Sequence, residues 1–388
     1  MQALRLHGRQ DIRLDTIPLP ECGPNQVRVQ VAYCGMCGSD IHEYQAGPIL
    51  APQPGEIHPH TGISLPVIMG HEMSGTILAL GADVHSRSPN LRPGQKVVVN
   101  PLLADAQLNN NNNNNNATPC ISCVAGRPNT CRRASYYGLS AAGGGFAQEI
   151  AVDAANLVPV PDNVSLKVAA LAEPLAVACH MIERSGFAAG DNVLILGAGP
   201  IGLALLILLR SKGARKIFMS EVSVLRIEQA RRLGADAVIN PTQESEAGSQ
   251  SGSDPVLAAV HKATEEGVDI AFDASGLQAT LDTAIASVRP GGTIFNVAIH
   301  EKPLSLNLNS LSLAEKRLTG GICYLRRDFE EVLALLSSGR LPAEEMITSV
   351  VPLSAIVQGG FQELIVNKTK HVKILIQPGH CARVWAGH

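Results

Sequence analysis

Three separated stretches of the chain carry side chains that can ligate a metal ion. The first reads Cys-Gly-Met-Cys-Gly-Ser-Asp-Ile-His at positions 34–42, the second contains His71 followed by Glu72, and the third contains Glu173. A thiolate, an imidazole and carboxylates make up the mixed ligand set of a catalytic zinc with an open position, whereas structural sites are closed by four ligands. The combination predicts metal-dependent catalysis, although each residue alone would more often be structural.

A glycine-rich turn supplies a second kind of chemistry. The sequence Gly-Ala-Gly-Pro-Ile-Gly directly follows an apolar strand that begins at Val193. In a dinucleotide-binding turn the first glycine makes the tight turn, the second lets the backbone approach a pyrophosphate, and the third permits close helix packing. Proline suits the first helical turn, and the helix N-terminus attracts phosphate. The predicted cofactor-binding residues of this turn are Gly197, Gly199, Pro200, Ile201 and Gly202.

An acidic residue closes the next apolar strand, at Glu221. A carboxylate here can accept hydrogen bonds from both ribose hydroxyls and would repel a 2′-phosphate, which predicts NAD rather than NADP. Arg226, shortly afterwards, is either a further cofactor contact or a solvated helix residue. An ordinary glycine-rich turn is the competing interpretation of the motif, but Glu221 at this spacing favours dinucleotide binding.

The elements that must position these residues fall into two parts of the chain. Up to about residue 165, turn residues and short β-branched runs such as Val-Arg-Val-Gln-Val at 27–31 predict an antiparallel β domain with irregular loops. From Leu166 onward, apolar strands alternate with helical segments, as in a doubly wound parallel sheet. Because 388 residues exceed one ordinary core, we predict an α/β protein of two domains.

The composition limits the partners of the protein. A formal net charge of -3 without a Lys/Arg run gives no basis for binding nucleic acid or an anionic membrane. The sequence shows neither a secretory signal nor a bilayer-spanning apolar run, which predicts a cytoplasmic protein with its nine cysteines reduced. The asparagine run at 109–116 offers no apolar face and is predicted to be a flexible surface loop.

The order of these motifs resembles that of the zinc-containing medium-chain alcohol dehydrogenases. The shared elements are Cys-Gly-x-Cys-Gly-Ser-Asp-x-His, Gly-His-Glu, Glu-Pro-Leu-Ala-Val-Ala and Gly-Ala-Gly-Pro-Ile-Gly, and the likeness covers nearly the whole chain. Within the family the chain is most similar to the (R,R)-2,3-butanediol and polyol (sorbitol-type) dehydrogenases, including a long insertion at positions 43–66. The resemblance implies a GroES-like irregular β catalytic domain over residues 1–165, to which residues 310–388 contribute, and an NAD-binding Rossmann domain over residues 166–309.

The resemblance also implies roles for the metal-site residues. It assigns Cys37, His71 and Glu173 as ligands of a catalytic zinc, with Glu72 either ligating directly or exchanging with Glu173. Asp40 would accept a hydrogen bond from His71 and fix its tautomer, although a simple turn residue is the competing interpretation.

A proton relay and further cofactor neighbours follow from the same likeness. Ser39 and His42 are implied to carry the substrate proton by way of the cofactor ribose to an imidazole that titrates near neutrality. Cys34 matches no ligand and is interpreted as a buried thiol. Residues that follow the late strands are implied to contact the cofactor, although ordinary core or loop positions explain them nearly as well: Ser275, Val297, Ala298 and Cys323.

The implied activity is oxidation of a secondary alcohol on a small diol, with zinc polarising the hydroxyl and NAD accepting the hydride. One alternative moves the substrate to sugar alcohols such as sorbitol, xylitol or arabinitol. An alternative of another class is a non-catalytic dinucleotide-binding scaffold or redox sensor, which requires a defective metal site. A homo-oligomer, either a dimer or a tetramer, is expected from the resemblance alone.

A second candidate metal site lacks one of the four cysteines that the spacing of the motif requires. The family often carries a structural zinc on four cysteines, and this chain has Cys120, Cys123 and Cys131 at the last three places but Ala117 at the first. Three thiolates leave a tetrahedral site open unless another group, such as Asp105, joins them. Three reduced thiols in a loop are the alternative interpretation.

Overall fold

The computed structural model describes residues 1–105, 118–242, 254–300 and 302–379. The asparagine run that was predicted to be a surface loop lies outside the described residues. The chain divides into two compact units. Unit 1 comprises Met1–Glu173, Leu325–Ser337 and Ile347–His388, and unit 2 comprises Pro174–Tyr324 and Ser338–Met346.

The strands of the described residues vary in length in both units. In chain order they are β1 (Gln2–Gly8), β2 (Asp11–Thr16), β3 (Gln26–Gly35), β4 (Val67–Ile68), β5 (Glu72–Leu80), β6 (Lys96–Val99), β7 (Leu102–Leu103), β8 (Ser135–Tyr136), β9 (Glu149–Asp153), β10 (Leu157–Pro159), β11 (Asn192–Leu196), β12 (Lys216–Ser220), β13 (Ala237–Ile239), β14 (Val268–Asp273), β15 (Val288–Asn296), β16 (Arg317–Gly320), β17 (Ile347–Pro352) and β18 (Lys373–Gln377).

Most of the longer helices alternate with the strands of unit 2. In chain order the described α-helices are α1 (Gly38–Gln45), α2 (Val84–Arg87), α3 (Ile121–Val124), α4 (Leu166–Ala169), α5 (Ala172–Ser185), α6 (Pro200–Ser211), α7 (Val224–Arg232), α8 (Pro255–Thr264), α9 (Gln278–Ser287), α10 (Asn309–Ser312), α11 (Arg326–Ser337) and α12 (Glu363–Val366). Single 3₁₀ turns and one π-helical segment, Val357–Gln362, complete the connections. None of the described helices is long and apolar enough to span a bilayer.

Unit 1 is built on a mainly antiparallel sheet. Its strands follow the order β10-β6-β5-β3-β18-β17, with β9 also paired to β3, and only β17 and β18 run parallel. Alternation in β3 places Val27, Val29 and Val31 in the buried core, as expected for a strand with one buried face. Smaller sheets, β2-β1-β4 and β7-β8, and many irregular loops complete the unit.

Unit 2 is a parallel sheet in the order β13-β12-β11-β14-β15-β16. Counted within this unit, the order is 3-2-1-4-5-6, which is the doubly wound dinucleotide-binding topology. Helix α6 is covered by apolar contacts, since every residue from 202 to 209 is buried. The predicted fold class, an irregular β domain with a Rossmann domain, is confirmed.

The compact units have boundaries of their own, and the domain bounds that the resemblance implies stay predictions. Unit 1 continues past residue 165 to Glu173, and residues 310–324 and Ser338–Met346 lie in unit 2. Residues 310–324 belong to unit 2 because residues 317–320 form β16 and hydrogen-bond to β15 of the parallel sheet. A short polar strand of this kind gives no apolar run by which the sequence could assign it.

Candidate metal and cofactor sites

The first metal-site candidates converge within unit 1. One ligand atom from each of Cys37, His71 and Glu72 lies within 4.8 Å of the other two. The pairing of β3 with β5 explains the convergence, because Gly35 is the direct partner of Glu72 across the sheet. Cys37 follows Gly35 closely at the start of α1, and His71 immediately precedes β5. Two strands in register therefore bring together side chains that are far apart in the sequence.

A buried carboxylate orients the imidazole. Asp40 Oδ1 lies 3.5 Å from His71 Nδ1, and Asp40 Oδ2 accepts a hydrogen bond from the Cys37 backbone N–H at 2.9 Å. Burial alone would lower the pKa of His71, but the Asp40 carboxylate raises that pKa well above its ordinary value. The remaining ring nitrogen, Nε2, lies 3.3 Å from Ser39 Oγ. This contact pattern is the one by which a carboxylate fixes a metal-ligating histidine.

The residues fit a catalytic zinc. Sulfur, imidazole nitrogen and carboxylate oxygen are its usual ligands, and Cys37, His71 and Glu72 offer one of each from a largely buried position. Cys34 lies nearby but is fully buried, and burial raises the pKa of its thiol well above the ordinary value. A thiol that stays protonated is a poor ligand, which supports the interpretation of Cys34 as a packing residue.

Glu173 lies close to this site without joining the cluster. It is buried in the first turn of α5. Burial lowers the pKa of Lys373, but the negative charges of Glu72, Cys37 and Glu173 raise that pKa overall, so Glu173 lies near the lysine. The group of mutually close ligand atoms, however, contains Cys37, His71 and Glu72 rather than Glu173.

Lys373 is the site residue that the sequence interpretation missed. Its Nζ donates hydrogen bonds to both carboxylate oxygens of Glu72, each at 2.7 Å. The available signal was a lysine at the head of a strand with an apolar centre, Lys-Ile-Leu-Ile-Gln. Nothing in that pattern alone relates the lysine to a glutamate about 300 positions earlier.

The two predicted relay residues lie on α1. Ser39 is half-buried with its hydroxyl beside His71, whereas His42 is exposed. Residues three apart on a helix lie on the same face. The helix therefore offers a hydroxyl at the metal site and, one turn later, an imidazole in contact with solvent.

The glycine turn of unit 2 has the conformation that its motif predicts. Gly197 has a φ of +100°, and Gly199 is the N-cap of α6 with Pro200 next in the first turn. A Cβ at Gly202 would lie 1.9 Å from the Gly197 carbonyl oxygen, so the helix packs directly against the turn. A Cβ at Gly199 would meet no atom within 4 Å. The space over Gly199 is thus open to a ligand, as a pyrophosphate site requires.

Glu221 ties this turn to the end of β12. Its buried carboxylate accepts hydrogen bonds from the backbone N–H groups of Ala198 at 2.8 Å, Val222 at 2.8 Å and Ser223 at 2.9 Å. An ionised carboxylate has about four acceptor positions, so capacity remains for a ribose hydroxyl. Burial lowers the pKa of Arg226, and the charge of Glu221 opposes this shift, so the guanidinium and the carboxylate are neighbours.

The late-strand candidates gather at the carboxyl edge of the parallel sheet. The Asp273 carbonyl oxygen accepts hydrogen bonds from the N–H groups of Val297 and Ala298, and its side chain accepts one from Ser275. Cys323, with a φ of +55°, follows the end of β16. Strands β11 and β14 are neighbours at the point where the strand order reverses, which is where doubly wound sheets bind their ligands.

Asp105 joins the three loop cysteines. One ligand atom from each of Asp105, Cys120, Cys123 and Cys131 lies within 4.8 Å of the others. Burial opposes ionisation of Asp105, but hydrogen bonds from Arg133 and from the Cys120 backbone lower the pKa of this carboxyl overall. Burial raises the pKa of Cys123 to about 12. The structure thus supplies a carboxylate where the spacing lacks a fourth cysteine.

Comparison with known proteins places the chain in a family. Residues 200–338 match the zinc-binding dehydrogenases, and residues 23–162 match the alcohol dehydrogenase GroES-like domain. Over 388 aligned residues the chain is 37% identical to the (R,R)-butanediol dehydrogenase of Saccharomyces cerevisiae, covering 98% of this chain and 99% of the yeast protein. The chain belongs to the zinc-binding alcohol dehydrogenase family, whose members are enzymes that act on CH–OH groups.

Individual relatives define the likeness further. The crystal structure of 2R,3R-butanediol dehydrogenase from Bacillus subtilis superimposes with a TM-score of 0.85 at 34% identity, covering 97% of this chain and 99% of the other. Sorbitol dehydrogenase from Bombyx mori is 28% identical over 98% of this chain and 96% of that protein. The predicted family, enzyme class and cofactor types, zinc and a nicotinamide dinucleotide, are confirmed, and the non-catalytic scaffold is excluded.

Proposed function

We propose that this enzyme oxidises a secondary alcohol of a small diol, related to 2,3-butanediol, and reduces NAD. The observation that carries the proposal is the largely buried cluster of Cys37, His71 and Glu72 in a chain related over nearly its whole length to butanediol dehydrogenases. The reaction converts the alcohol to a ketone. Two electrons and one hydrogen leave the carbinol carbon as hydride, and the hydroxyl proton is released.

The proposed site residues of unit 1 have two roles, which are to hold the zinc ion and to transfer the substrate proton. Zinc, when bound, supplies Lewis-acid polarisation of the substrate hydroxyl. Cys37, His71 and Glu173 are proposed to hold the ion, with Glu72 either ligating directly or exchanging with Glu173. Asp40 is proposed to keep His71 in the tautomer whose Nε2 faces the site. Ser39 then accepts the substrate proton as it gives up its own, by way of the cofactor ribose, toward His42, which is exposed and exchanges that proton with solvent.

The proposed cofactor is NAD rather than NADP. Glu221 lies next to the glycine turn, where its negative charge disfavours a 2′-phosphate. Arg226 is its neighbour and offers a positive charge at the same edge, which is the feature that would favour the phosphorylated cofactor. Because the Glu221 carboxylate is hydrogen-bonded directly to the turn, we give it the greater weight.

A substrate panel tests this proposal directly. Stereoisomers of 2,3-butanediol, together with sorbitol, xylitol and arabinitol, are assayed by NADH and NADPH absorbance. We expect the highest kcat/KM with a butanediol isomer and NAD. A pentitol or hexitol as the best substrate would instead support the sugar-alcohol alternative, for which the 28% identity to a sorbitol dehydrogenase is the weaker likeness.

We also propose a structural zinc on Asp105, Cys120, Cys123 and Cys131, supported by the proximity of their ligand atoms. Metal analysis is expected to find about two zinc ions per chain, one for each complete ligand set. Cys123→Ser should remove one of them and lower Tm by roughly 5 °C or more, the stabilisation that a bound ion gives a folded domain.

Cys22→Ser is the matched control for this substitution. Cys22 is a half-buried thiol of unit 1 that donates to a backbone carbonyl, which a serine hydroxyl can also do. It should keep both ions. A zinc content that is the same in Cys123→Ser and in the unsubstituted protein would favour three reduced thiols without metal.

A homo-oligomer is the proposed assembly, in a cytoplasm reducing enough to keep thiolate ligands available. Strand β16 forms an edge of the parallel sheet with all four residues exposed, and the nearby Leu313 and Ile322 are exposed to 88% and 53%. An exposed strand edge with apolar neighbours favours pairing with a second copy. Leu313→Glu combined with Leu318→Glu should convert a dimer or tetramer to smaller species in light scattering. An unchanged mass would place the interface elsewhere.

A further inference from the structure

The backbone pairing of β3 with β5 ends before it reaches two of the metal-site residues. The last pair in this ladder includes Gly35, whereas Cys37 lies two positions beyond it and His71 lies before the first residue of β5. The ligand atoms of Cys37 and His71 nevertheless lie within 4.8 Å of each other. Contacts outside the ladder must therefore place these two side chains. Asp40 supplies one such contact, and three aromatic rings supply another.

These three rings, which we call the aromatic cluster, belong to Tyr44, Phe146 and Phe361. The Phe361 ring is fully buried and meets those of Tyr44 and Phe146 edge to face, with centroids 5.6 Å and 6.3 Å away and interplanar angles of 72° and 78°. Such pairs attract because the positive edge of one ring meets the negative face of the other. Phe361 lies in the π-helical segment Val357–Gln362, a kind of turn that is rare and is frequently found at functional sites.

On one side the aromatic cluster contacts α1. Tyr44 lies near the end of this helix, whose N-cap is Cys37. The segment that carries Phe361 also contacts the other end, because a Cβ at Gly360 would lie 2.6 Å from Sδ of Met36, the residue before Cys37. One short helical segment therefore packs against both ends of α1.

On the other side the aromatic cluster contacts the connection between β4 and β5. The Phe146 ring fills the space over Gly70, where a Cβ would lie 2.7 Å from two ring carbons. Gly70 has a φ of +91°, which glycine adopts without strain, and His71 is the next residue. The Gly145 N–H donates to the Gly70 carbonyl oxygen at 2.7 Å. A displacement of the Phe146 ring would therefore move the backbone next to His71.

We propose that Phe361 is a positioning residue for catalysis, which sets the distance between α1 and His71 through Tyr44 and Phe146. The inference rests on the proposed zinc-dependent alcohol oxidation. In that reaction the Ser39 hydroxyl must stay at the site, and its Oγ lies 3.3 Å from His71 Nε2. A misplacement of about 1 Å at a catalytic group can slow a reaction about 100-fold. Ordinary core packing would stabilise unit 1 without affecting this geometry.

Replacement of Phe361 with leucine tests the inference. Leucine keeps an apolar side chain in the core but removes both edge-to-face contacts. We expect kcat to fall by roughly 10–100-fold and the KM for NAD to change by less than about twofold, because the proposed cofactor residues lie in unit 2.

Phe329→Leu is the matched control for this substitution. Phe329 is also a fully buried phenylalanine of unit 1, but among the described residues it lies outside the apolar core cluster that contains Phe361. The control should lower Tm and leave kcat unchanged. It therefore separates a loss of core packing from a change in the position of α1.

Cobalt supplies a readout besides activity. Each protein is loaded with Co²⁺ in place of zinc, and its visible spectrum reports the geometry of the ligands. Subtraction of the spectrum of the unsubstituted protein cancels the contribution of the three loop cysteines. We expect an altered spectrum for Phe361→Leu and for Tyr44→Leu, but not for Phe329→Leu or for Tyr44→Phe, which keeps the ring. If Phe361→Leu does not fold, the two variants of the half-buried Tyr44 decide the test.

Three results would overturn the proposal. The first is an unaltered cobalt spectrum in Phe361→Leu, whatever the loss of Tm. The second is an equal spectral change in Phe329→Leu, because the effect would then be a general loosening of unit 1. The third is an altered spectrum in Tyr44→Phe, which would assign the effect to the hydroxyl group rather than to the rings. Failure of the proposed function is seen separately, as an unsubstituted protein that binds cobalt but oxidises no alcohol.

Discussion

Replacement of Cys37 with alanine should nearly abolish alcohol oxidation. A Lewis acid contributes several kcal/mol of transition-state stabilisation, so kcat/KM should fall by roughly 10³-fold or more. The thiolate is one of three ligand types at a buried site, and no other cysteine belongs to that cluster of described ligand atoms. Steady-state kinetics measures the loss of activity, and zinc analysis measures the accompanying loss of bound metal. Retained zinc with retained turnover would remove Cys37 from the catalytic site.

Cys34→Ala is the matched control for this experiment. Both cysteines lie in the same segment, but the Cys34 sulfur packs near Gly70 and Gly145, and its thiol stays protonated because burial raises its pKa. Its removal leaves a cavity of about a methyl group, which costs about 1 kcal/mol of stability. The control should therefore lower Tm slightly and keep both zinc and activity. The pair separates loss of a ligand from loss of packing.

Replacement of Gly199 with alanine should weaken NADH binding by roughly tenfold or more, since each 1.4 kcal/mol of lost contact is a factor of ten. The added methyl meets no protein atom within 4 Å, and the φ of Gly199, -67°, suits alanine. The methyl occupies instead the space through which the backbone approaches the pyrophosphate. Fluorescence titration with NADH measures the affinity, and thermal unfolding should show an unchanged Tm.

Gly202→Ala is the informative contrast. Its methyl would lie 1.9 Å from the Gly197 carbonyl oxygen, so the helix must shift at a cost of about 1–3 kcal/mol in the free energy of unfolding. We expect a lower Tm here and not in Gly199→Ala. Equal NADH affinity in Gly199→Ala and the unsubstituted enzyme would argue against pyrophosphate at this turn.

Parts of the site that are formed by residues close together in the sequence could be predicted, and parts that depend on residues far apart in the sequence could not. The glycine turn lies within one strand–turn–helix unit, so spacing alone indicated the roles of Gly197, Gly199 and Gly202. Asp105 could be suggested only as one possible fourth ligand, because its approach to Cys120 depends on tertiary structure rather than on spacing. Lys373 could not be related to Glu72 from its own strand, since it reaches that carboxylate through the pairing of β18 with β3.

The domain boundaries show the same limit. The change from short β-rich runs to alternating strands and helices indicated two domains, and the predicted fold class followed from this change. Strand β16 could not be assigned by hydrophobic pattern, because its residues Arg-Leu-Thr-Gly are all exposed. Its place is set by hydrogen bonds to β15, which depend on tertiary contacts rather than on side-chain periodicity.

The position of β18 between β3 and β17 has a consequence for biosynthesis. The ribosome makes β3 and β5 early, but the strand that completes their sheet emerges 301 positions after Glu72. At roughly 5–20 residues per second, tens of seconds pass before β18 is made. During this time the edge of β3 has no strand to pair with, and Glu72 has no lysine to neutralise its charge. Unit 2 is nearly continuous in sequence and can fold during that interval. In protease digestion of nascent chains on stalled ribosomes, we therefore expect unit 2 to become resistant before unit 1.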